Sequence, residues 1–337
     1  WKILNNYSLI FSQSFYYNTN LPNLENINGI SINKGFGTIS SILFRYQNRI
    51  FKLSAEPQII RNNNYPLNVP KKTGLFSVLN DVPINNLNIY PISNLKNLGI
   101  QINTMWFSGG YGNWNKWWGP GIHNSLVLTN NAEGFYHYFI NTNGYKKITS
   151  KIKYSFEYMI TEGIKNTNQL KYFLSAWFLN IKYNDVEFGL SRHIISGGNK
   201  DLDWILSDAS KVLLTNKNLK YWDEVYDFYI AYKPKNSGLY AFIELGVPNR
   251  YFNGYDRFIY MDHAMGSNIG LRKLGIFGNQ YIMVGFEYER LLQGAYYNTI
   301  PTPNWYDNIR YNYSSYNGRR WGSHAGSDSD DFLIYLG

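Results

Sequence analysis

Lys151-Ile152-Lys153-Tyr154-Ser155-Phe156-Glu157-Tyr158-Met159-Ile160-Thr161 alternates with a period of two. Ile152, Tyr154, Phe156, Tyr158 and Ile160 form one face; Lys151, Lys153, Ser155, Glu157 and Thr161 form the other. Successive side chains of a strand point to opposite sides, so this is strand patterning. Its length suits a tilted strand of about 9–11 residues crossing a bilayer. The pattern recurs. Leu98, Ile100, Ile102 and Trp106 oppose Gln101 and Asn103. Leu239, Ala241, Ile243, Leu245 and Val247 oppose Glu244. Ile282, Val284, Phe286 and Tyr288 oppose Gly285, Glu287 and Glu289. Weaker candidates are 38–46, 50–59, 170–183, 186–192, 221–233, 267–274 and 332–336, for about a dozen visible strands in all.

A soluble β-sandwich predicts the same alternation. Three features favour a barrel: the strands are long, Tyr and Phe collect at the ends of their apolar faces, and short connections alternate with long ones. The expected fold is all-β, a transmembrane antiparallel β-barrel of about 16–18 strands. One domain covers 1–337. Residues 61–97 read as a long irregular loop. Within 201–214, Leu202, Ile205, Leu206, Ala209, Val212 and Leu213 fall at helical spacing behind Asp201. A short amphipathic helix in a long loop is expected there.

Composition agrees. Of 337 residues, 18% are aromatic, with 31 Tyr, 20 Phe and 10 Trp; aromatic girdles mark both interfaces of membrane barrels. Mean hydropathy is −0.36, and no run of 18 apolar residues exists, which excludes transmembrane helices. With no cysteine, a disulfide scaffold and a thiolate metal site are excluded. The formal charge of +9 favours anionic partners: acidic polysaccharide, lipopolysaccharide phosphates or nucleic acid. No RNP or helix-turn-helix pattern supports the last, so no nucleic-acid partner is expected. The chain begins at Trp1 and ends in a strand-like 332–337, which suggests missing residues at the C-terminus and also at the N-terminus.

The segment Trp117-Trp118-Gly119-Pro120-Gly121, followed by Ser125-Leu126-Val127-Leu128 and Asn130-Asn131-Ala132, resembles the signature of the Wzi capsule-assembly family. Thr129 stands where that pattern has Ser, and Glu133-Gly134 departs from its Arg-Pro or Pro-Pro. Phe188-Gly189-Leu190-Ser191-Arg192, with Gly197-Gly198 after it, resembles a second family strand. The run 318–328, with Gly322, His324, Gly326 and Asp328, resembles a late Gly-His segment. The pieces occur in the family's order across 117–331; no motif matches before Leu98. The resemblance implies a Gram-negative outer-membrane barrel of about 18 strands. It also implies a lectin that helps attach or organise capsular polysaccharide at the cell surface.

Two indoles on a Gly-Pro-Gly turn either present flat rings to sugars or pack as a plug inside the lumen. The fixed turn favours the plug. Gly119, Pro120, Gly121, Ser125, Asn130 and Asn131 are read as its structural frame. Trp117, Trp118, Arg192, Arg319, Arg320, Trp321 and His324 are the candidate polysaccharide contacts. Arg192 shares a strand face with Phe188 and Leu190. A lipid-facing charge costs about 2–4 kcal/mol at the midplane, so the face is lumenal or Arg192 lies near the interface. If lumenal, it can pair with Glu187, Glu287 or Glu289, or with a polymer carboxylate. Glu287 and Glu289 are expected as lumenal charges laddered with Lys and Arg, in preference to a glycosidase pair.

His123, His137, His193, His263 and His324 show no zinc spacing. Asp328, Asp330 and Asp331 lack the Gly and closing Glu of a calcium loop. No catalytic residue, metal or cofactor is expected. The protein is read as a non-enzymatic barrel whose partners are capsular or other surface polysaccharide, outer-membrane lipid and lipopolysaccharide, with other envelope proteins as further partners. The alternatives are a pore for small solutes and a barrel anchor in a larger envelope complex.

Overall fold

The computed structural model describes residues 6–19, 25–63, 91–165, 171–198, 222–248, 265–276, 279–291, 305–306, 315–316, 319–327 and 329–337. The predicted helix at 201–214 lies outside them, as does Asp328. The described chain is all strand and connection, and every pairing is antiparallel.

In chain order the strands are β1 (Tyr7–Asn18), β2 (Gly35–Gln47), β3 (Phe51–Arg61), β4 (Ile92–Asn103), β5 (Ser108–Gly112), β6 (His137–Asn141), β7 (Lys146–Lys147), β8 (Ile152–Thr161) and β9 (Ile164–Lys165). Then come β10 (Lys171–Tyr183), β11 (Val186–Gly197), β12 (Trp222–Tyr232), β13 (Leu239–Pro248), β14 (Gly266–Ile276), β15 (Asn279–Arg290), β16 (Ser315–Tyr316), β17 (Arg319–Arg320) and β18 (Asp330–Leu336). One 16-stranded sheet runs β1-β2-β3-β4-β5-β6-β8-β10-β11-β12-β13-β14-β15-β18, with β7 on β8 and β9 on β10; β16 and β17 form a separate hairpin. Each strand on this path pairs with its neighbour in the chain, apart from the small additions. Strand ends joined by a few residues (48–50, 104–107, 184–185, 233–238) gather at one end of the sheet, and those joined by longer stretches of chain, 113–136 among them, at the other. That is the up-and-down outer-membrane pattern.

The two faces of the sheet are chemically inverted relative to a soluble sandwich. Phe11, Phe15, Phe44, Ile102, Ile140, Phe188, Leu190, Ile243, Leu271, Ile334 and Leu336 are exposed on the outside. Ser54, Gln58, His137, Thr161, Asn180, Ser191, Asp227, Glu244, Asn268, Glu287 and Glu289 are buried on the inside. A sheet that turns its apolar rows outward needs a lipid solvent. On β8, Met159 and Thr161 are wholly buried and Glu157 pairs inward with Lys116 at 2.5 Å.

Two strand expectations change. The irregular stretch 61–97 ends early, because β4 starts at Ile92. The register of β3 on β4 shifts between Ser54 and Glu56, and Asn97 takes a positive φ of 50°. This bulge moves the outward set from Leu95 to Leu98, Ile100 and Ile102, hiding the strand from a period-two reading. The second concerns the strand set: β5, β6 and the short β7, β9, β16 and β17 fall outside the expected strands, and so does β1. Its outward Leu9, Phe11, Phe15 and Tyr17 carry the ordinary signal.

Candidate functional site

The connection 113–136 between β5 and β6 runs through the interior, touching the wall on many sides. Trp114 Nε1 donates to Ser54 Oγ of β3 at 2.8 Å. Trp118 stacks on Phe178 of β10 (5.4 Å between centroids) and meets His193 of β11 edge-on at 5.1 Å. Tyr240 of β13 donates to the Pro120 carbonyl at 3.1 Å, and Asn268 of β14 to the Asn124 carbonyl at 2.9 Å. On β15, Glu287 accepts the N–H groups of Ile122 at 2.8 Å and His123 at 3.0 Å. Asn124 Nδ2 donates to Asp331 of β18 at 2.6 Å. A sheet from which β3, β10, β11, β13, β14, β15 and β18 reach one loop is curled around that loop.

The motif residues make this loop possible. Gly119 has φ +148°, and a Cβ there would sit 2.2 Å from Ser125 Oγ and 2.8 Å from Glu244 Oε1. A Cβ on Gly121 would lie 2.1 Å from the Asn124 carbonyl and 2.9 Å from Glu287 Oε2. Only glycine lets the backbone come so close to two buried carboxylates. Glu244 Oε1 lies 3.0 Å from the Ser125 hydroxyl and accepts Leu126 N–H at 3.1 Å; its Oε2 accepts Asn268 Nδ2 at 3.2 Å. The Ser125 hydroxyl also touches the Trp118 carbonyl, and Trp118 N–H donates to the Leu128 carbonyl at 3.2 Å. Buried carboxylates thus serve as acceptors for orphan backbone N–H groups, which a dry interior must satisfy.

The far limb of the loop is tied to later chain. Thr129 N–H donates to the Trp321 carbonyl at 2.6 Å, and Asn131 Nδ2 to the Arg320 carbonyl at 3.1 Å. The Asn130 and Asn131 carbonyls accept Asn28 and Gly29 N–H at 2.7 and 3.1 Å. Tyr306 hydroxyl donates to the Leu126 carbonyl at 2.5 Å. Trp118, Leu126, Val127, Leu128, Phe135, Trp305, Tyr306 and Trp321 form one apolar cluster with the inner wall.

The predicted sugar contacts are therefore mostly inside. Trp118 and Trp321 are each 3% exposed, and their rings are spent on internal packing. Trp117 is half-buried, with its indole N–H lacking a partner. Arg319 and Arg320 are buried beside the loop. Arg192 is neither lumenal nor paired with Glu187, Glu287 or Glu289. It follows Phe188 and Leu190 outward but lies at the long-connection end, buried, with Glu224 Oε2 at 2.7 Å from Nε and 2.5 Å from Nη2, over the ring of Tyr226. Pairing in an ion pair with an acid on the next strand replaces the expected options, because the cross-strand register sets Tyr226 opposite Arg192 and leaves Glu224 one diagonal step away. Glu187 goes to Lys182 at 2.8 Å.

The expected ladder of Glu287 and Glu289 with Lys and Arg is also corrected. Glu287 is spent on loop N–H groups, and Glu289 stands opposite Asn268 and Asp331 in the strand ladder. Glu244 and Glu287 are matched to the loop backbone, which spacing along one strand cannot reveal.

Two groupings have no signature in the sequence. Asp331 Oδ2 lies 3.1 Å from His123 Nε2 and 3.8 Å from His324 Nε2. Burial and the neighbouring His123 hold the His324 imidazole below its ordinary pKa, with Asp331 opposing them. At the short-turn end, a cavity of about 540 Å³ is lined by Asn184, Lys233, Lys235, Tyr240, Arg272 and Met283, among others. The Arg272 guanidinium sits 4.3 Å over the Tyr240 ring. A stacked Arg–Tyr pair with lysines around it suits an anionic group, on the side that short turns place toward the periplasm.

Lipid-facing outer rows, alternating short and long connections and a loop-filled interior define an outer-membrane β-barrel, and the chain's place is the outer membrane of a Gram-negative cell. No protein-family model matches the chain, and no curated protein matches it. Among solved structures, it is similar to Wzi of Escherichia coli, described as an outer-membrane protein involved in group 1 capsule assembly and a carbohydrate-binding β-barrel. The TM-score is 0.64 at 11% identity, over 98% of this chain and 66% of that one. The chain thus spans just under two thirds of that protein's length, and the likeness is one of fold. Looser similarity extends to OprB of Pseudomonas putida (TM-score 0.44, 13% identity, 84% and 74% covered) and OccAB4 of Acinetobacter baumannii (0.42, 11%, 83% and 66%).

Proposed function

We propose that this protein is a non-enzymatic, plugged outer-membrane barrel of the Wzi type that binds an acidic surface polysaccharide and helps hold or organise it at the cell. The observation that carries the reading is the loop 113–136. A Trp-Trp-Gly-Pro-Gly motif builds it, buried carboxylates fix it, and it fills a barrel whose fold follows that of a carbohydrate-binding protein. The net charge of +9 supports an anionic polymer. Buried Trp118 and Trp321 belong to the scaffold. Sugar contact falls to groups left partly open, such as Trp117. Glu287 and Glu289 are committed to the interior, which supports binding over turnover.

The test is a glycan array with detergent-purified protein, including acidic capsular and lipopolysaccharide fragments, at two salt concentrations. Specific binding that weakens with salt supports the reading. No binding at either salt would sink it and leave the barrel as an anchor or pore, which planar-bilayer conductance separates.

A further inference from the structure

We propose that His123, His324 and Asp331 form a binding site for a divalent transition-metal ion of the zinc class, which clamps the interior loop to the last strand. The donors join the interior loop, which supplies His123, to the segment after β17 and to β18, about 200 residues later in the chain. Their ligand atoms all lie within 4.8 Å of one another. A tetrahedral ion with bonds of about 2.0–2.2 Å places its ligands about 3.4 Å apart. The separations from Asp331 Oδ2 to the two Nε2 atoms, 3.1 and 3.8 Å, bracket that value. The two imidazoles stand edge to face, 4.5 Å between centroids. Two imidazoles and one carboxylate leave a fourth position for water, and His123 and Asp331 keep about a fifth of their side-chain surface open toward it.

The surroundings favour a cation. Glu289 is the ladder partner of Asp331, and Glu287 accepts the N–H of His123. Outer contacts orient the donors, as metal ligands require. Asn124 Nδ2 holds Asp331 Oδ2 at 2.6 Å. The Asn26 amide lies 3.3 Å from His324 Nδ1, and its own Oδ1 has no partner. Turning that amide over would give an Nδ1–H its acceptor and leave Nε2 for the metal, at the loss of the Asn26 bond to the His123 carbonyl. Without a metal, the same groups form only a His–Asp pair joining loop to strand.

The test is zinc titration of the whole, chelator-treated protein in detergent, read by bound metal per chain and by the melting temperature. The expected result is one zinc per chain, a rise in melting temperature on zinc addition, and affinity reduced by at least about tenfold in His123→Gln and Asp331→Asn. Cobalt(II) added to the unaltered protein should give the intense visible bands of a four-coordinate ion, a reading that needs no variant to fold. Undiminished zinc binding in both variants, or only the weak bands of six-coordinate cobalt, would overturn the proposal. Neither readout involves sugar, so failure here is distinct from failure of polysaccharide binding.

Discussion

Glu287 on β15 accepts the backbone N–H groups of Ile122 and His123 at 2.8 and 3.0 Å, so one carboxylate of the barrel wall fixes the loop that fills the barrel. Bonds from N–H groups to a charged acceptor contribute about 1.5–3 kcal/mol each. Glu287→Gln keeps the shape but offers one acceptor oxygen. The expected loss is about 2–3 kcal/mol, seen as a lower unfolding midpoint in detergent and faster proteolysis within 113–136. An unchanged midpoint would mean the carboxylate does not hold the loop.

Gly121→Ala should be far more damaging than Gly144→Ala. The first puts a Cβ 2.1 Å from the Asn124 carbonyl, whereas Gly144, φ +79°, has nothing within 4 Å. Overpacking costs about 1–3 kcal/mol or more, while a left-handed alanine costs about 1–2 kcal/mol. Denaturant titration of the two variants side by side checks the order.

Trp118→Ala removes the ring that stacks on Phe178 and meets His193 edge-on. A loss of about 3–5 kcal/mol is expected, with Trp118→Phe losing less. Because the ring is interior, we expect conductance in planar bilayers to rise in the alanine variant. Replacing 115–132 with a Gly-Ser linker should raise it further, and equal conductance in all three proteins would show that the loop does not block a path.

Arg192 and Glu224 form a buried pair. Removing either partner alone should cost about 3–5 kcal/mol, because the other charge stays buried. Arg192→Met with Glu224→Leu should recover most of that. A double-mutant cycle that proves additive would contradict the pairing.

Much of the architecture was legible in local pattern. The alternation at 151–161, 239–247 and 282–288 maps onto β8, β13 and β15 with the apolar rows outward. The Gly-Pro-Gly turn is legible as a tight turn, since Gly119 and Gly121 carry constraints that no other residue meets. The start of β4 was not legible, because the bulge facing Ser54 to Glu56 shifts parity by one. β1 was missed although its pattern was present. The Arg192 partner was misassigned because its face alone does not show which end of the barrel it reaches.

By itself, the sequence determined most of the long strands, the inversion of polarity across the sheet and the tight Gly-Pro-Gly turn. These follow from side-chain periodicity and backbone sterics, which act over a few residues. Only the tertiary structure decided that Glu244 and Glu287 cap the loop, that Arg192 meets Glu224, and that His123, His324 and Asp331 share one corner. Those choices join residues far apart in the chain, and they depend on strand register and the curl of the sheet, which no spacing along the sequence records.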